Sequence, residues 1–509
     1  MTKLGFVIDH RKCIGCHACT LACKSENDVP VGTFRTWVKY IEKGEFPNTR
    51  RFFTVLRCNH CTNAPCVTIC PTTALYKRPD GIVDFDNSRC IGCKSCMQAC
   101  PYDALYIDPN THTAAKCHFC AHRTEVGLQP ACVVVCPEQA IVAGDLDDPT
   151  SRIAQLVARE TTIVRRPEQG TKPNVYYVGA DDAALTPGVP AQPPQYMWSQ
   201  VHPSDVKPDA VEMKGGAHGG TLRTVYDVAH PRPWGWRVGA YLFTKAIAAG
   251  ALVVAALLLT LGLPTGPLLG IGAPLLALVF LAVTGVLLIA DLKRPDRFYF
   301  LFTKPNWTSW LVWGAWIILV YGALATLWLL LGIARLPLAL GLIAWAAALA
   351  GLGTAGYSAF LFGQAEGRDF WQSPLLLPHL LLAAFTAGAA SLALLGLWLG
   401  AGPTLLGALA TVLTVAAGLG FLVALAELFG PHPNQDVAAA AHLLRGGAYA
   451  GRFWAGAGLL GAGLPIVLAA AYAATGLGAL LALGALSALA GLWLYEDAWV
   501  RTGQAIAMS

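Results

Sequence analysis

All 16 cysteines of this 509-residue chain fall between Cys13 and Cys136, and they divide into four groups of four. The groups are Cys13, Cys16, Cys19 and Cys23; Cys58, Cys61, Cys66 and Cys70; Cys90, Cys93, Cys96 and Cys100; and Cys117, Cys120, Cys132 and Cys136. The first and third read CxxCxxCxxxC, and the last three groups end in Cys-Pro, at Pro71, Pro101 and Pro137. Two-residue gaps let one loop wrap three thiolates around a corner of an iron–sulfur cubane. The fourth cysteine, three residues on, points away and ligates the other cluster of a pair. The expectation is four [4Fe–4S] clusters that use every thiol.

Zinc is the competing reading of CxxC pairs, but zinc ribbons use two cysteines per knuckle rather than three and a displaced fourth. His17, His60, His118 and His122 lie inside the loops and are read as neighbours of the clusters or surface residues, because sixteen thiolates already fill four sites. The opening MTKLGFVIDHRKC has no apolar core of signal-peptide length and no twin-arginine pair. The expectation is therefore cluster loading in a reducing compartment, where thiolates bind metal more readily than they form disulfides.

The composition conceals a division. Hydrophobic residues make up 55% and charged residues 13% of the chain, the latter about half of the roughly 25% usual in soluble domains. Of the 36 Lys+Arg, 25 precede Arg237 and 11 follow from it, and the Asp+Glu split is 23 and 8. Net charges of +2 and +3 for the two parts exclude nucleic acid as an expected partner. Length excludes a small disulfide scaffold.

From residue 237 onward, eight apolar runs are long enough to cross a bilayer: about 238–262, 269–290, 309–333, 337–361, 374–400, 404–429, 452–475 and 478–500. The predicted fold is an α+β ferredoxin-like domain over 1–145, an extended linker over 146–236, and an all-α membrane bundle over 237–509. Trp234 and Trp236 fall where an interfacial aromatic belt is expected. On the side of Trp236 the loops and ends hold Arg232, Arg237, Lys293, Arg294, Arg297, Lys304, Arg368, Arg445, Arg452 and Arg501, against Arg335 on the other. By the positive-inside rule that near side is cytoplasmic, with the clusters beside it, in a cell inner membrane.

The cysteine region, with GTKPNVYYVG near its end, resembles the four-cluster ferredoxin subunit of membrane-bound molybdopterin oxidoreductases such as the polysulfide, DMSO and tetrathionate reductases, over about residues 5–180. That resemblance implies four ligand sets: Cys13, Cys16, Cys19 with Cys136; Cys117, Cys120, Cys132 with Cys23; Cys58, Cys61, Cys66 with Cys100; and Cys90, Cys93, Cys96 with Cys70. The strings DLKRPDRF and PNWTSW make the second part similar to the NrfD/polysulfide-reductase type of quinone-reactive anchor. The resemblance implies an electron-transfer subunit that exchanges electrons with menaquinone or ubiquinone. It also implies a separate molybdopterin-bearing catalytic subunit as partner, with no catalytic residue on this chain.

Ionisable side chains in a membrane span are costly, so each is a functional candidate. By context Tyr357 matches the family's quinone tyrosine. Tyr241 and Lys245 match further quinone contacts, although the family often has His or Asn where Lys245 stands. Asp291 and His379 are read as quinone-pocket or proton-relay groups, and Glu427 as a proton relay. His379 is the one histidine within a span, so no bis-histidine haem is expected. Other readings keep the wire but serve a [NiFe] hydrogenase or a multihaem cytochrome complex, or make a proton-translocating module of Asp291, Glu427 and Glu496.

Overall fold

A computed structural model of the chain describes residues 2–44, 46–186 and 222–509. The first sheet is ordered β8-β1-β10-β9, from β1 (Leu4–Asp9), β8 (Ile141–Asp145), β9 (Thr162–Ile163) and β10 (Val175–Val178). Its central strand β1 runs antiparallel to β8 and parallel to β10. Phe6, Val7 and Ile8 are all buried, as expected of a continuous apolar run covered on both faces. A second sheet is formed by β11 (Arg223–Tyr226), β2 (Thr36–Lys43) and β3 (Arg50–Arg57). Two hairpins, β4 (Leu75–Lys77) with β5 (Val83–Phe85) and β6 (Leu105–Ile107) with β7 (Ala114–Lys116), separate the last three cysteine groups. The pattern of cysteine loop, short helix and hairpin thus repeats along the chain.

The stretch expected to be a linker from residue 146 is not one as far as residue 186. The helix Arg152–Arg159 is capped by Ser151, whose hydroxyl accepts from the Ala154 amide at 3.1 Å. After it, β9 and β10 complete the first sheet. Tyr177, central in GTKPNVYYVG, is fully buried and donates to the Val55 carbonyl. Extended β-branched and aromatic residues there find open ladder positions beside β1, which composition alone does not reveal. The expected Pro- and Gly-rich strap over TPGVPAQPPQ and KGGAHGG lies outside the described residues apart from its first residue, Thr186. From residue 223 the chain returns as β11, antiparallel to β2.

Among the described residues eight helices are long and apolar enough to cross a membrane: Trp236–Thr260, Leu268–Asp291, Trp310–Ile333, Leu340–Gly363, Leu376–Trp398, Pro403–Phe429, Arg452–Thr475 and Gly478–Gly503. Their order and number match the eight apolar runs, and they are called spans 1 to 8 below. Small residues let their backbones meet. A Cβ on Gly250 of span 1 would overlap span 5 at Ala384, and one on Gly491 of span 8 would overlap span 7 at Gly461. Span 7 opens as a π-helix over Arg452–Gly463, a widened turn often found at functional sites.

The near ends of the spans grip the cysteine domain. In the loop after span 2 the Lys293 amide donates to the Gly92 carbonyl and Arg297 to the carbonyls of Asn87 and Cys90. Before span 3, Asn306 donates to the Cys70 carbonyl at 2.7 Å and Ser309 to that of Ile69 at 2.7 Å. After span 4, Arg368 donates to the Gln98 side chain, which in turn donates to Gln504. Trp234 is not a belt residue. It is buried, and its indole N–H donates to the Cys93 carbonyl at 3.2 Å. Trp236 is 53% exposed, as a belt position requires.

Candidate functional site

Two loops with the same letters adopt the same shape. In Cys13-Ile-Gly-Cys-His and Cys90-Ile-Gly-Cys-Lys, the pairs Gly15/His17 and Gly92/Lys94 all have φ between 60° and 70°. Left-handed residues two apart, alternating with a cysteine of ordinary φ, turn backbone N–H groups inward, a shape suited to an anionic group. A Cβ on Gly92 would also lie 2.6 Å from the Lys293 Cβ, so glycine permits both the turn and the contact with the membrane part.

The thiols gather in four sets that draw on distant groups. One cavity is lined by Cys13, Cys16, Cys19 and Cys136, a second by Cys70, Cys90, Cys93 and Cys96, and a third by Cys23, Cys117, Cys120 and Cys132. Cys58, Cys61, Cys66 and Cys100 surround one another in the fourth. Amide N–H groups point at sulfur, from Ala140 to Cys136, from Leu75 to Cys70, and from both Gly92 and Ala114 to Cys90, at 3.2–3.4 Å. Among the described residues no three His, Cys, Asp or Glu side chains stand close enough to share a single metal ion. Thiols spaced around a cavity, with inward amides, fit a polynuclear cluster and its negative charge.

Buried cations add to that fit. Arg57 is fully buried, its guanidinium donates to the Cys132 sulfur at 3.2 Å, and its Nε and Nη2 have no hydrogen-bond partner among the described residues. A buried cation without a carboxylate requires a nearby negative charge. Burial lowers the Arg57 pKa, but the neighbouring thiols more than offset this and hold it above its ordinary value. Lys116, also fully buried, donates to the carbonyls of Val83 and Cys117. Sequence reasoning missed both, because nothing in the local sequence brings β3 to Cys132. The four histidines take other roles. The His60 Nδ1 accepts from the Val83 amide, His118 meets Arg35, His122 meets Glu26, and His17 packs against Tyr226.

One set lies at the surface and another at the membrane part. Cys16 is exposed in the outermost, while Cys70, Cys90 and Cys93 of the innermost carry the backbone contacts to Asn306, Arg297 and Trp234. Beneath it, Lys245 of span 1 is 1% exposed, and its ammonium donates to Ser358 at 2.6 Å and to the Ala355 carbonyl at 3.1 Å. The same nitrogen lies 4.6 Å from the centre of the Tyr357 ring and 5.9 Å from that of Tyr241. Tyr241 lies against Tyr357 and Ser358. Gly314 of span 3 makes room, since a Cβ there would overlap the Tyr357 ring. Four hydrogen-bonding side chains from two spans therefore meet at one buried point. Ser358 was not singled out from sequence, since serine is common in apolar helices.

His379 lies elsewhere. Its Nε2 is 3.7 Å from Glu496 and its ring centre 5.0 Å from that of Tyr495, at the edge of a pocket between spans 5 to 8. Glu427 adjoins the same group through Ser373, Tyr495 and Trp499. Asp291 joins neither group. It is the last residue of span 2, and its carboxylate pairs with Lys94 of the innermost cysteine loop at 2.8 Å, a docking contact.

Comparison with known proteins follows the same division. Residues 49–146 match the 4Fe-4S dicluster domain, and residues 224–506 match the polysulphide reductase NrfD family. The chain is 46% identical to a tetrathionate reductase subunit of Salmonella typhimurium, over 39% of this chain and 81% of the relative. It is 42% identical to a polysulfide reductase component of Wolinella succinogenes, over 35% of this chain and 94% of the relative. It is also 37% identical to the arsenate respiratory reductase iron-sulfur subunit of a Shewanella species, over 35% and 96%. The chain belongs to the NrfD family of multi-pass membrane proteins, as a fusion of an iron–sulfur dicluster domain of the DMSO/polysulfide reductase type with an NrfD membrane anchor.

Proposed function

We propose that this chain is the electron-transfer and quinone-reactive subunit of a respiratory oxidoreductase. Four [4Fe–4S] clusters on the four thiol sets carry single electrons between a molybdopterin-bearing catalytic subunit and a membrane quinone. The names of the relatives support a reductase-type partner. The observation that carries the reading is the seam: backbone carbonyls of Cys70, Cys90 and Cys93 are held by residues that enter or lie between the spans. An electron leaving the innermost set thus enters the membrane part of the same chain.

The Lys245, Tyr241, Tyr357 and Ser358 group fits the quinone head. It offers N–H and O–H donors for a carbonyl oxygen and aromatic faces for the ring, in surroundings where an unneeded ammonium is costly. A bound quinone supplies the two-electron, two-proton chemistry; the residues orient it and hold protons at the lysine nitrogen and tyrosine oxygens. The expected outcome for Tyr357→Phe is quinol-linked turnover lowered about tenfold, the scale of one lost polar contact, with dithionite reduction of the clusters unchanged. Unaltered turnover would remove Tyr357 from the site. Iron and acid-labile sulfide should each approach about 16 per chain.

The near side is assigned to the cytoplasm. Lys293, Arg294, Arg297 and Arg368 touch the cysteine domain. Setting those and Arg232 aside leaves Arg237, Lys304, Arg445, Arg452 and Arg501 against Arg335. Thiol or protease labelling of inside-out vesicles checks the side.

A further inference from the structure

Charge in the bundle is confined to one half of its depth. Lys245, Asp291, His379, Glu427, Arg452, Glu496, Asp497 and Arg501 all lie in the halves of their spans nearer the cysteine domain. The far halves of all eight spans contain no Asp, Glu, Lys, Arg or His, and the loops beyond them contribute only Arg335.

Within the near half, four of these groups descend like steps. At about 1.5 Å of rise per residue, Lys245 lies about 14 Å into span 1 and Glu496 about 10 Å into span 8, each measured from the near end. On the same measure His379 lies about 5 Å into span 5 and Glu427 about 3 Å into span 6. Spans 1 and 8 meet where a Cβ on Gly239 would touch the Asp497 backbone, and Glu496, next to it, is the charged group whose field reaches Lys245. His379 stands 3.7 Å from Glu496, and its other charged neighbour is Glu427. Glu427 is half-buried and meets Ser373 in the near-side loop before span 5.

These contacts are looser than a structural ion pair. Lys94 and Asp291 close to 2.8 Å, whereas both Glu496 oxygens, both His379 nitrogens, Glu427 Oε1 and the Tyr495 hydroxyl lack a hydrogen-bond partner among the described residues. Buried polar groups are nearly always hydrogen-bonded. An adjoining run of groups that are not, built of carboxylate, imidazole and carboxylate, has the chemistry of a proton relay.

We propose that Glu496, His379 and Glu427 form a proton relay joining the Lys245–Tyr357 pocket to the water on the cysteine-domain face, so that both quinone protons are exchanged on that face. The proposal rests on the quinone reading above. For each quinone reduced to quinol, the clusters are oxidised by two electrons. Two protons leave near-side water, pass Glu427, His379 and Glu496 in turn, and end on the two quinone oxygens by way of Lys245. Quinol oxidation reverses every step. No proton crosses the far half of the bundle.

The test uses the holo-chain in liposomes containing quinone, with the pH dye pyranine trapped inside and dithionite added outside. Only molecules with the cysteine domain outward receive electrons. Quinone reduction should leave the lumenal pH unchanged. Glu496→Gln and His379→Gln should slow quinone reduction at least tenfold while cluster bleaching keeps its wild-type rate. Glu427→Gln, half-buried at a helix end, should shift the dependence of turnover on external pH, a readout that a packing defect does not move. It carries the test alone if the deeper variants fail to fold. Lumenal alkalinisation in proportion to quinone reduced, or wild-type turnover in all three variants, overturns the relay. A wild-type chain that bleaches its clusters but reduces no quinone overturns the quinone reading and the relay with it. Normal quinone reduction by the wild type, with all three variants behaving as the wild type, overturns the relay alone.

Discussion

The two halves of this chain build their sites in opposite ways. In the cysteine domain, each set takes three thiols from one stretch of sequence and one from a distant group, as with Cys90, Cys93 and Cys96 beside Cys70. In the membrane bundle, the cluster of donors takes Tyr241 and Lys245 from span 1 and Tyr357 and Ser358 from span 4. A cluster needs several thiolates at fixed spacing before anything else is folded, so its loop carries a local signature. A quinone needs only a few hydrogen bonds, and those can come from any helix that passes. Between the two lies the seam of Trp234, Lys94 and Arg297, which belongs to neither pattern.

The largest effect that could break this contrast is at the innermost set. Cys93→Ser should abolish quinone-linked electron transfer, at least a hundredfold, while the outer sets still bleach with dithionite and one cluster's paramagnetic signal disappears. Survival of quinone-linked transfer would show that electrons leave the domain elsewhere. The seam gives the next effect. Lys94→Ala leaves the Asp291 carboxylate, 17% exposed, without its partner, a loss on the order of 3 kcal/mol for a mostly buried pair. Lowered thermal stability and slowed quinone-linked transfer should both be partly restored by Lys94→Ala combined with Asp291→Asn. A double variant no better than the single one would remove the pair from docking.

A smaller, pH-dependent effect is expected where the chain returns from the strap. His230 lies between Asp103 at 2.5 Å and Asp227 at 3.4 Å. Burial lowers its pKa, but the two carboxylates more than offset this and raise it from the usual 6.5 to about 10. The folded value lies above the unfolded one, so the stability it contributes is complete below about 6.5 and is lost as pH rises through about 10. Proteolysis around β11 should therefore be faster at pH 10 than at pH 8, and His230→Gln should be cut at pH 8 nearly as fast as wild type at pH 10. Equal cutting of wild type at both values would show that His230 does not secure this segment.

Much was legible in advance, for reasons that differ by region. Eight spans could be read because a bilayer imposes length and apolarity on each helix separately. The extent of the first domain was misjudged, because β9 and β10 are short and their partner β1 lies far away in sequence. Asp291 reads from sequence as a quinone-pocket or proton-relay group, and in the structure it sits at the last turn of its helix and pairs with Lys94. The loop charges read as an orientation signal, and Arg294, Arg297 and Arg368 also bind the cysteine domain. A cation at a near-side helix end can serve both purposes, and sequence counts cannot separate them.

The sequence by itself determined the chemistry of the chain: sixteen thiols at cluster spacing, eight membrane-crossing helices, and a confinement of charge to one side. Each follows from spacing or composition along a continuous segment. Tertiary structure alone decided that Arg57 stands against Cys132, that Trp234 reaches Cys93, that Lys245 meets Tyr357 and Ser358, and that His379 stands beside Glu496. Those contacts depend on which helix faces meet, and in a bundle packed through small residues many faces are nearly equivalent in sequence.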